Sequence, residues 1–198
     1  MEMIKVEMAD VARYLRVGAG ALDGALAARV EALIAAARRE ARPRRVWRRF
    51  PVADGAVVSG DLVLPLAGTL ARYLGDCRSV YLVCGTLGAS FDAFQRHVAV
   101  RSGADALIAQ AIGAAMIESW MDAMQDDIRA ELAPGETILH RYSPGFGDFP
   151  LSAQRVMLDL LDAPRAAGVS LTETLLMVPS KSVSAVVGVR GDVEKLRS

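Results

Sequence analysis

The helical and extended patterns of this sequence are compatible with an α+β fold. Residues 22–41 and 105–132 carry apolar side chains at helical spacing, over a wide face in the second stretch. Short apolar runs rich in valine at 79–86 and 182–189 are typical of strands in the centre of a sheet. With 198 residues, the chain is long enough for one sizeable core. We therefore expect a single domain over residues 1–198.

The N-terminal part, up to residue 75, is predicted to combine helices with a hairpin. Asp10 is placed to cap a short helix. Residues 52–64 alternate short apolar pairs with turn signals, a pattern that predicts an antiparallel hairpin. Pro65 fits the first turn of a following helix, which should end near Gly75.

Composition excludes several classes of partner. Charged residues make up 23% of the chain and sum to a formal net charge of zero, so no diffuse basic field is available to hold nucleic acid. The arginine-rich run at 44–50 invites a nucleic-acid or membrane-surface interpretation, but its apolar residues favour a strand with solvated arginines. No apolar run approaches the roughly 20 residues that span a bilayer, and the N-terminus lacks a signal pattern. We expect a cytoplasmic protein with no membrane partner.

The two cysteines suggest neither a disulfide framework nor a metal site. Cys77 and Cys84 are seven residues apart, which is not the spacing of a close metal-binding pair. We expect both thiols to be reduced and partly buried. The two histidines of the chain are too few for a metal cluster.

Residues 139–150 have the composition of a shaped loop. Two prolines, two glycines and an aromatic pair, Phe146 and Phe149, follow Arg141 within nine residues, and neither a helix nor a strand interior tolerates that mixture. Arginine offers a forked cation that suits a carboxylate, and phenylalanine offers a flat apolar surface for a ring. The loop is therefore a candidate cradle for a small molecule with a carboxylate and an aromatic base. The alternative is a rigid turn with core aromatics and a surface arginine.

Two further groups of residues could carry chemistry. Glu118 and Asp122 are four residues apart on the helix predicted over 105–132, so they share one side, as acid-base or metal chemistry would need. Two acids on a helix are more often simply solvated. Lys181 lies among three serines, Ser180, Ser182 and Ser184. The pattern is compatible with a Ser-Lys nucleophile and also with the alternation of side chains along an ordinary strand.

The loop carries a motif that resembles a known family. Arg141-x-x-Pro144-Gly145-Phe146-x-x-x-Pro150 closely resembles the motif of the activation domain of cobalamin-dependent methionine synthase, the part of that enzyme that binds S-adenosylmethionine. Residues 172–184, which read TETxxMxPxxSVS in their matching positions, look like the downstream segment of the same domain at the expected separation. A weaker match lies in the long helix, at 117–122 and at 128–129.

The resemblance implies a fold and a function. The implied fold is α+β, with a curved antiparallel or mixed sheet flanked by helices, and residues 76–198 form the core with the S-adenosylmethionine-binding motifs. The implied function is reactivation of a corrinoid methyltransferase. When bound cobalamin is oxidised to the inactive Co(II) state, an electron donor, for which a flavodoxin-like protein is a candidate, reduces it, and S-adenosylmethionine remethylates it. The cobalamin would be carried by the partner, cobalamin-dependent methionine synthase or another corrinoid protein, so that this chain acts in trans.

Matching positions of the family imply a set of ligand-binding residues: Glu118, Arg141, Ser143, Gly145, Phe146, Val187 and Gly188. Arg141 should pair with the carboxylate of the ligand, and Glu118 should meet its amino or sulfonium end. Gly145 and Phe146 should border the adenosine. Val187 and Gly188 would offer backbone contacts near the purine.

The loop also departs from the family motif. Phe146 replaces a tyrosine, so a hydroxyl group is lost, and residues 147–150 read Gly-Asp-Phe-Pro where the family has Pro-Ala-Cys-Pro. The carboxylate of Asp148 beside the pocket is compatible with a cationic sulfonium and also with a different ligand. Two alternatives therefore stay open: an interaction module that docks on a corrinoid protein without binding S-adenosylmethionine, and an unrelated enzyme that uses Glu118 and Asp122.

Overall fold

The computed structural model describes residues 4–18 and 22–191. Its helices are α1 (Met8–Leu15), α2 (Gly24–Glu40), α3 (Gly68–Leu74), α4 (Ala89–Arg101), α5 (Gly103–Ala130), α6 (Ala153–Leu161) and α7 (Ala163–Ala166). Its strands are β1 (Arg44–Pro51), β2 (Ala56–Ser59), β3 (Leu62–Pro65), β4 (Ser79–Thr86), β5 (Thr137–Ile138), β6 (Ser170–Leu171), β7 (Met177–Val178) and β8 (Ser182–Arg190). The expected limits of the domain, residues 1 and 198, lie outside the described residues, so the single domain stays a prediction.

The main sheet has the strand order β1-β4-β8-β5, and every neighbouring pair is antiparallel. The central strands β4 and β8 pair along their whole length, from Ser79 opposite Val189 to Thr86 opposite Ser182. Both were predicted from their apolar, valine-rich runs, which suit a strand covered on two faces. The expected α+β class with an antiparallel sheet and flanking helices is confirmed.

Helices cover both faces of this sheet. Successive side chains of a strand point to opposite faces, so each central strand contributes to two cores. Tyr81 and Val187 face one core, which is built with α1, α2, α4 and α5. Leu82 and Val186 face the other core, which is built with α3, α6, α7 and the β2–β3 hairpin. Helix α5, the longest of these helices, makes the largest contribution to the first core through a wide apolar face. It packs on the central strands β4 and β8.

Several predicted details of the N-terminal part are corrected. Helix α1 begins one turn earlier than expected, with Glu7 at the N-cap position, and Asp10 lies in the first turn, where it pairs with Arg13 at 3.4 Å. The hairpin is confirmed, but Pro65 is its last residue, not the start of a helix. The following residue extends the pairing of the hairpin, since the Leu66 N–H donates to the Gly55 carbonyl at 2.8 Å. Helix α3 starts only at Gly68.

The arginines of β1 bind groups of the protein itself. The guanidinium of Arg45 lies 4.2 Å from the ring centre of Trp120 and pairs with Asp127 at 2.5 Å. Arg49 forms a two-pronged ion pair with Glu136, at 2.5 and 3.0 Å. These contacts favour a structural role for the arginine-rich run, as the predicted strand already suggested.

The remaining expectations concern thiols, metals and membranes. Both cysteines are free and buried, and burial raises the pKa of Cys84 to about 12. They are therefore more deeply buried than expected. Within residues 4–18 and 22–191, no group of three or more metal-binding side chains comes together. No helix in those ranges combines the length and the apolar character needed to cross a membrane.

Candidate functional site

The edge of the sheet beside β8 is interrupted where Arg141 lies. The Leu139 N–H donates to the Gly188 carbonyl at 2.9 Å, and Tyr142 exchanges two hydrogen bonds with Val186 at 2.8 and 2.9 Å. The three steps from Leu139 to Tyr142 therefore lie opposite only two steps on β8, from Gly188 to Val186. This is the geometry of a β-bulge. The extra residue interrupts the regular pairing with β8 after β5, and the pairing resumes at Tyr142. The bulge turns Arg141 toward α5.

The guanidinium of Arg141 is enclosed by three side chains of α5. Nη2 donates to Glu118 Oε2 at 2.5 Å, and Nη1 donates to Asp122 Oδ1 at 2.6 Å and to Gln125 Oε1 at 2.7 Å. The three acceptors are spaced by four and three residues, so they lie on one face of the helix. The family motif predicted Glu118 and Arg141 as members of one site, and the structure adds Asp122 and Gln125 as partners of the same cation. We call these four residues the Arg141 cluster.

Exposure within the Arg141 cluster is uneven. The Arg141 side chain is 6% exposed, whereas the side chains of Glu118 and Asp122 are 43% and 63% exposed. Two carboxylates around one guanidinium leave a local excess of one negative charge. A cation fixed behind two solvent-accessible anions can accept a different anion, and the displaced carboxylate remains available for a cation.

Helix α1 places a tyrosine beside the Arg141 cluster. It packs on α5 through the buried side chains of Val11 and Ala12 and leaves Tyr14 partly exposed. Burial raises the pKa of the Tyr14 phenol, and the negative charge of Glu118 raises it further. Tyr14 is therefore within electrostatic reach of the cluster. The sequence offered no signal for this proximity, because more than 100 residues separate α1 from Arg141.

The Pro/Gly loop, residues 143–150, is a compact turn. The Gly145 N–H donates to the Phe149 carbonyl at 2.8 Å, and the Phe146 N–H donates to the Ser143 carbonyl at 3.3 Å. The two phenylalanines have different environments: Phe146 is 65% exposed and Phe149 is 3% exposed. Of the two rings predicted to offer a flat surface, only Phe146 is accessible to a ligand.

Two of the predicted binding residues lie in the interior of the sheet. Val187 is fully buried against the α5 core and pairs with Tyr81 of β4. The Gly188 carbonyl accepts a hydrogen bond from the Leu139 N–H. A Cβ at Gly188 would lie 2.8 Å from a side-chain atom of Leu74. Both residues are opposite or next to the bulge that holds Arg141. Their predicted backbone contacts with a purine stay a prediction.

The carboxylate of Asp148 is bonded to α3. Its Oδ1 accepts the Thr69 N–H at 2.8 Å and is also hydrogen-bonded to the Thr69 hydroxyl. These bonds hold the pKa of Asp148 below its ordinary value. The same region contains a largely apolar cavity of about 460 Å³, lined by Leu64, Pro65, Ala67, Gly68, Asp148, Phe149, Pro150, Ser152, Ala153 and Val156. It lies between the hairpin, α3 and α6.

Two of the three serines around Lys181 have other partners. Ser180 Oγ donates to Asp92 Oδ1 at 2.8 Å, and Ser182 Oγ lies 2.6 Å from the Pro179 carbonyl oxygen. Burial lowers the pKa of the Lys181 ammonium. The arrangement favours the alternation of a strand end over a Ser-Lys nucleophile.

Comparison with known families tests the resemblance that the sequence motifs suggested. Residues 76–195 match the model of the vitamin B12 dependent methionine synthase activation domain. The chain belongs to this family. The matched segment contains the Arg141 cluster, the Pro/Gly loop and β8, so the resemblance drawn from the two motifs is confirmed. Tyr14 and Thr69 lie outside it.

A solved structure shares the fold of this activation domain. The crystal structure of the MetH reactivation domain bound to AdoHcy superimposes with a TM-score of 0.58 at 17% sequence identity. The match covers 84% of this chain and 67% of the other. At that identity, the likeness shows the fold alone. Among curated proteins, none matches this sequence as a relative.

Proposed function

We propose that this activation domain binds S-adenosylmethionine and provides its methyl group, in trans, to cobalamin carried by a cobalamin-dependent methionine synthase or a related corrinoid methyltransferase. In the reaction, a donor such as a flavodoxin-like protein supplies one electron to Co(II), and the resulting Co(I) takes the methyl group from the sulfonium, which leaves S-adenosylhomocysteine. Family membership supports the proposal. The solved relative has AdoHcy bound, which is the product this reaction leaves.

The observation that carries the proposal is the Arg141 cluster. S-Adenosylmethionine has a carboxylate, an ammonium and a sulfonium close together at one end. The ligand carboxylate would replace one acid of α5 on the buried guanidinium, and Glu118 would then meet the ammonium or the sulfonium. Two ion pairs would replace one, so neither Arg141 nor the displaced carboxylate is left unpaired. The single negative charge in excess around Arg141 complements the net positive charge of the ligand.

The other end of the ligand would lie along the Pro/Gly loop. Phe146 offers an exposed ring for the adenine, and Gly145 leaves its outer side open, because a Cβ there would meet only Leu151, at 3.7 Å. The φ of Gly145, +93°, is one that glycine adopts readily. The loop therefore combines an aromatic surface with room for close approach.

A calorimetric titration with S-adenosylmethionine tests the proposal. We expect saturable binding to the wild-type chain and a loss of binding in Arg141→Ala. Arg129→Ala is the matched control, because Arg129 is also paired with an acid of α5, Asp126, but lies outside the Arg141 cluster. A flat titration of folded wild-type protein would exclude the proposal.

The alternative, an interaction module that does not bind S-adenosylmethionine, is favoured by one observation: the guanidinium of Arg141 already has three acceptors within the chain. A reconstitution assay distinguishes the two functions. The chain is added to a methionine synthase that lacks its own activation domain, together with a reductant, and the cobalamin spectrum is followed. Methylcobalamin formed only with S-adenosylmethionine present supports the proposal. Co-purification with the synthase and no methylation supports the module.

A further inference from the structure

The structure assigns a positioning function to Thr69: its hydroxyl fixes the shape of the Pro/Gly loop and so places Phe146 and Arg141 for the ligand. The effect on the ligand rests on the proposed function. The effect on the loop follows from the contacts alone. Thr69 is the second residue of α3 and lies outside the segment that matches the family model.

The Thr69 hydroxyl uses its whole hydrogen-bonding capacity on the loop. Its proton goes to Asp148 Oδ1, and its oxygen accepts the Tyr142 hydroxyl at 3.0 Å and the Asp148 N–H at 3.3 Å. The Thr69 N–H adds a bond of 2.8 Å to the same carboxylate oxygen. A hydroxyl has one donor and two lone pairs, so this oxygen is saturated. We call this set of contacts the Thr69 latch.

Two glycines make the close approach of the loop and α3 possible. A Cβ at Gly147 would lie 2.6 Å from Thr69 Oγ1 and 2.8 Å from the Tyr142 hydroxyl oxygen. A Cβ at Gly68 would overlap the Asp148 carboxylate. Both glycines have positive φ, +55° and +61°, which side chains rarely adopt. Gly147 and Asp148 are also residues at which the loop departs from the family motif, and the Thr69 latch gives both of them a structural reason.

The Thr69 latch is connected to the ligand side through Tyr142. This residue follows Arg141 directly, its backbone is bonded to Val186, and its ring lies 6.3 Å from the Phe146 ring. Its hydroxyl is the group that Thr69 holds. A loop fixed at Tyr142 and at Asp148 has little freedom in between, so the exposed ring of Phe146 is placed before a ligand arrives.

A pair of Thr69 variants tests the inference. Valine has the shape of threonine without the hydroxyl, whereas serine keeps the hydroxyl. In Thr69→Val we expect the Asp148 amide to exchange with deuterium on the order of tenfold faster, because it loses its acceptor, and S-adenosylmethionine to bind about tenfold more weakly. In Thr69→Ser both values should be within about twofold of wild type. Circular dichroism and thermal unfolding verify that each variant is folded.

The outcomes separate the latch from the proposed function. Unchanged exchange at the Asp148 amide in Thr69→Val would overturn the inference, as would faster exchange with unchanged affinity. Faster exchange and weaker binding in Thr69→Val, with both values near wild type in Thr69→Ser, would support the inference. Absence of binding by the folded wild-type chain would remove the proposed function and the ligand half of the inference. The exchange rates would still decide whether Thr69 fixes the loop.

Discussion

The two ends of the Pro/Gly loop are held by different chemistry. At one end, the Arg141 cluster joins a buried guanidinium to half-exposed carboxylates. At the other end, the Thr69 latch joins a saturated hydroxyl to Asp148, and the same hydroxyl also accepts a bond from Tyr142, the neighbour of Arg141. Ion pairs with exposed partners contribute roughly 0–1 kcal/mol each, so a ligand can replace one at small cost. The latch has no free lone pair for a ligand. The comparison indicates that the first end exchanges partners on binding, while the second keeps the loop in place.

Removing the cation should have the largest effect. We expect Arg141→Ala to weaken S-adenosylmethionine binding by about 100-fold or more, since truncating one partner of a buried charged pair costs about 2–5 kcal/mol. Arg141→Lys should bind with intermediate affinity because an ammonium lacks the two-pronged geometry. Calorimetry gives both values. Wild-type affinity in the alanine variant would show that the Arg141 cluster is not the binding site.

Crowding the latch should destabilise the fold. A Cβ at position 147 would press on Thr69 and Tyr142, so we expect Gly147→Ala to lower the free energy of unfolding by about 2–4 kcal/mol. Gly60 is the matched control, because its φ of +58° is nearly that of Gly147 and nothing lies within 4 Å of its added Cβ. Gly60→Ala should show only the backbone term, about 1–2 kcal/mol. Equal losses in urea titrations of the two variants would contradict the close packing of the latch.

The pKa of Asp148 reports the latch directly. Hydrogen bonds from Thr69 hold this pKa below its ordinary value, so the folded state gains stability from the carboxylate above the ordinary pKa of about 3.9. That gain is lost as the pH falls through the depressed pKa. In Thr69→Val the pKa should rise toward the ordinary value. A carboxyl NMR titration measures it, and an unchanged pKa would show that the hydroxyl is not what lowers it.

Salt should produce the smallest effect and distinguish the two ends. Raising ionic strength from about 0.05 to about 0.5 M should weaken S-adenosylmethionine binding by roughly threefold, because the acids of the Arg141 cluster are exposed to screening. Exchange at the Asp148 amide should not change, since its acceptor is a neutral hydroxyl. A salt effect on that amide would mean that the two ends are not independent.

The sequence predicted the parts of the fold that depend on local pattern. Strands β4 and β8 follow from apolar runs, and α5 follows from an apolar face that repeats over its length. The motif predicted Arg141 and Glu118 as members of one site, and the structure places them in contact. Loop composition located the Pro/Gly turn, because proline and glycine act locally.

The features that the sequence missed all depend on distant contacts. The bulge at Arg141 arises from pairing with β8, and the Thr69 latch joins residues 79 positions apart. Phe146 and Phe149 are the same residue type in the same loop, yet only Phe149 packs in the core. Asp148 was expected beside the pocket, but its bond to Thr69 of α3 was not predicted. Nothing in local periodicity reports such long-range pairing.

A crystal structure of the chain with S-adenosylmethionine tests the exchange of partners at Arg141 most directly. We expect the ligand carboxylate within hydrogen-bond distance of the Arg141 guanidinium, Glu118 at the amino or sulfonium end of the ligand, and Thr69 still bonded to Asp148. A bound ligand that leaves Arg141 paired with both Glu118 and Asp122 would show that the exchange does not occur.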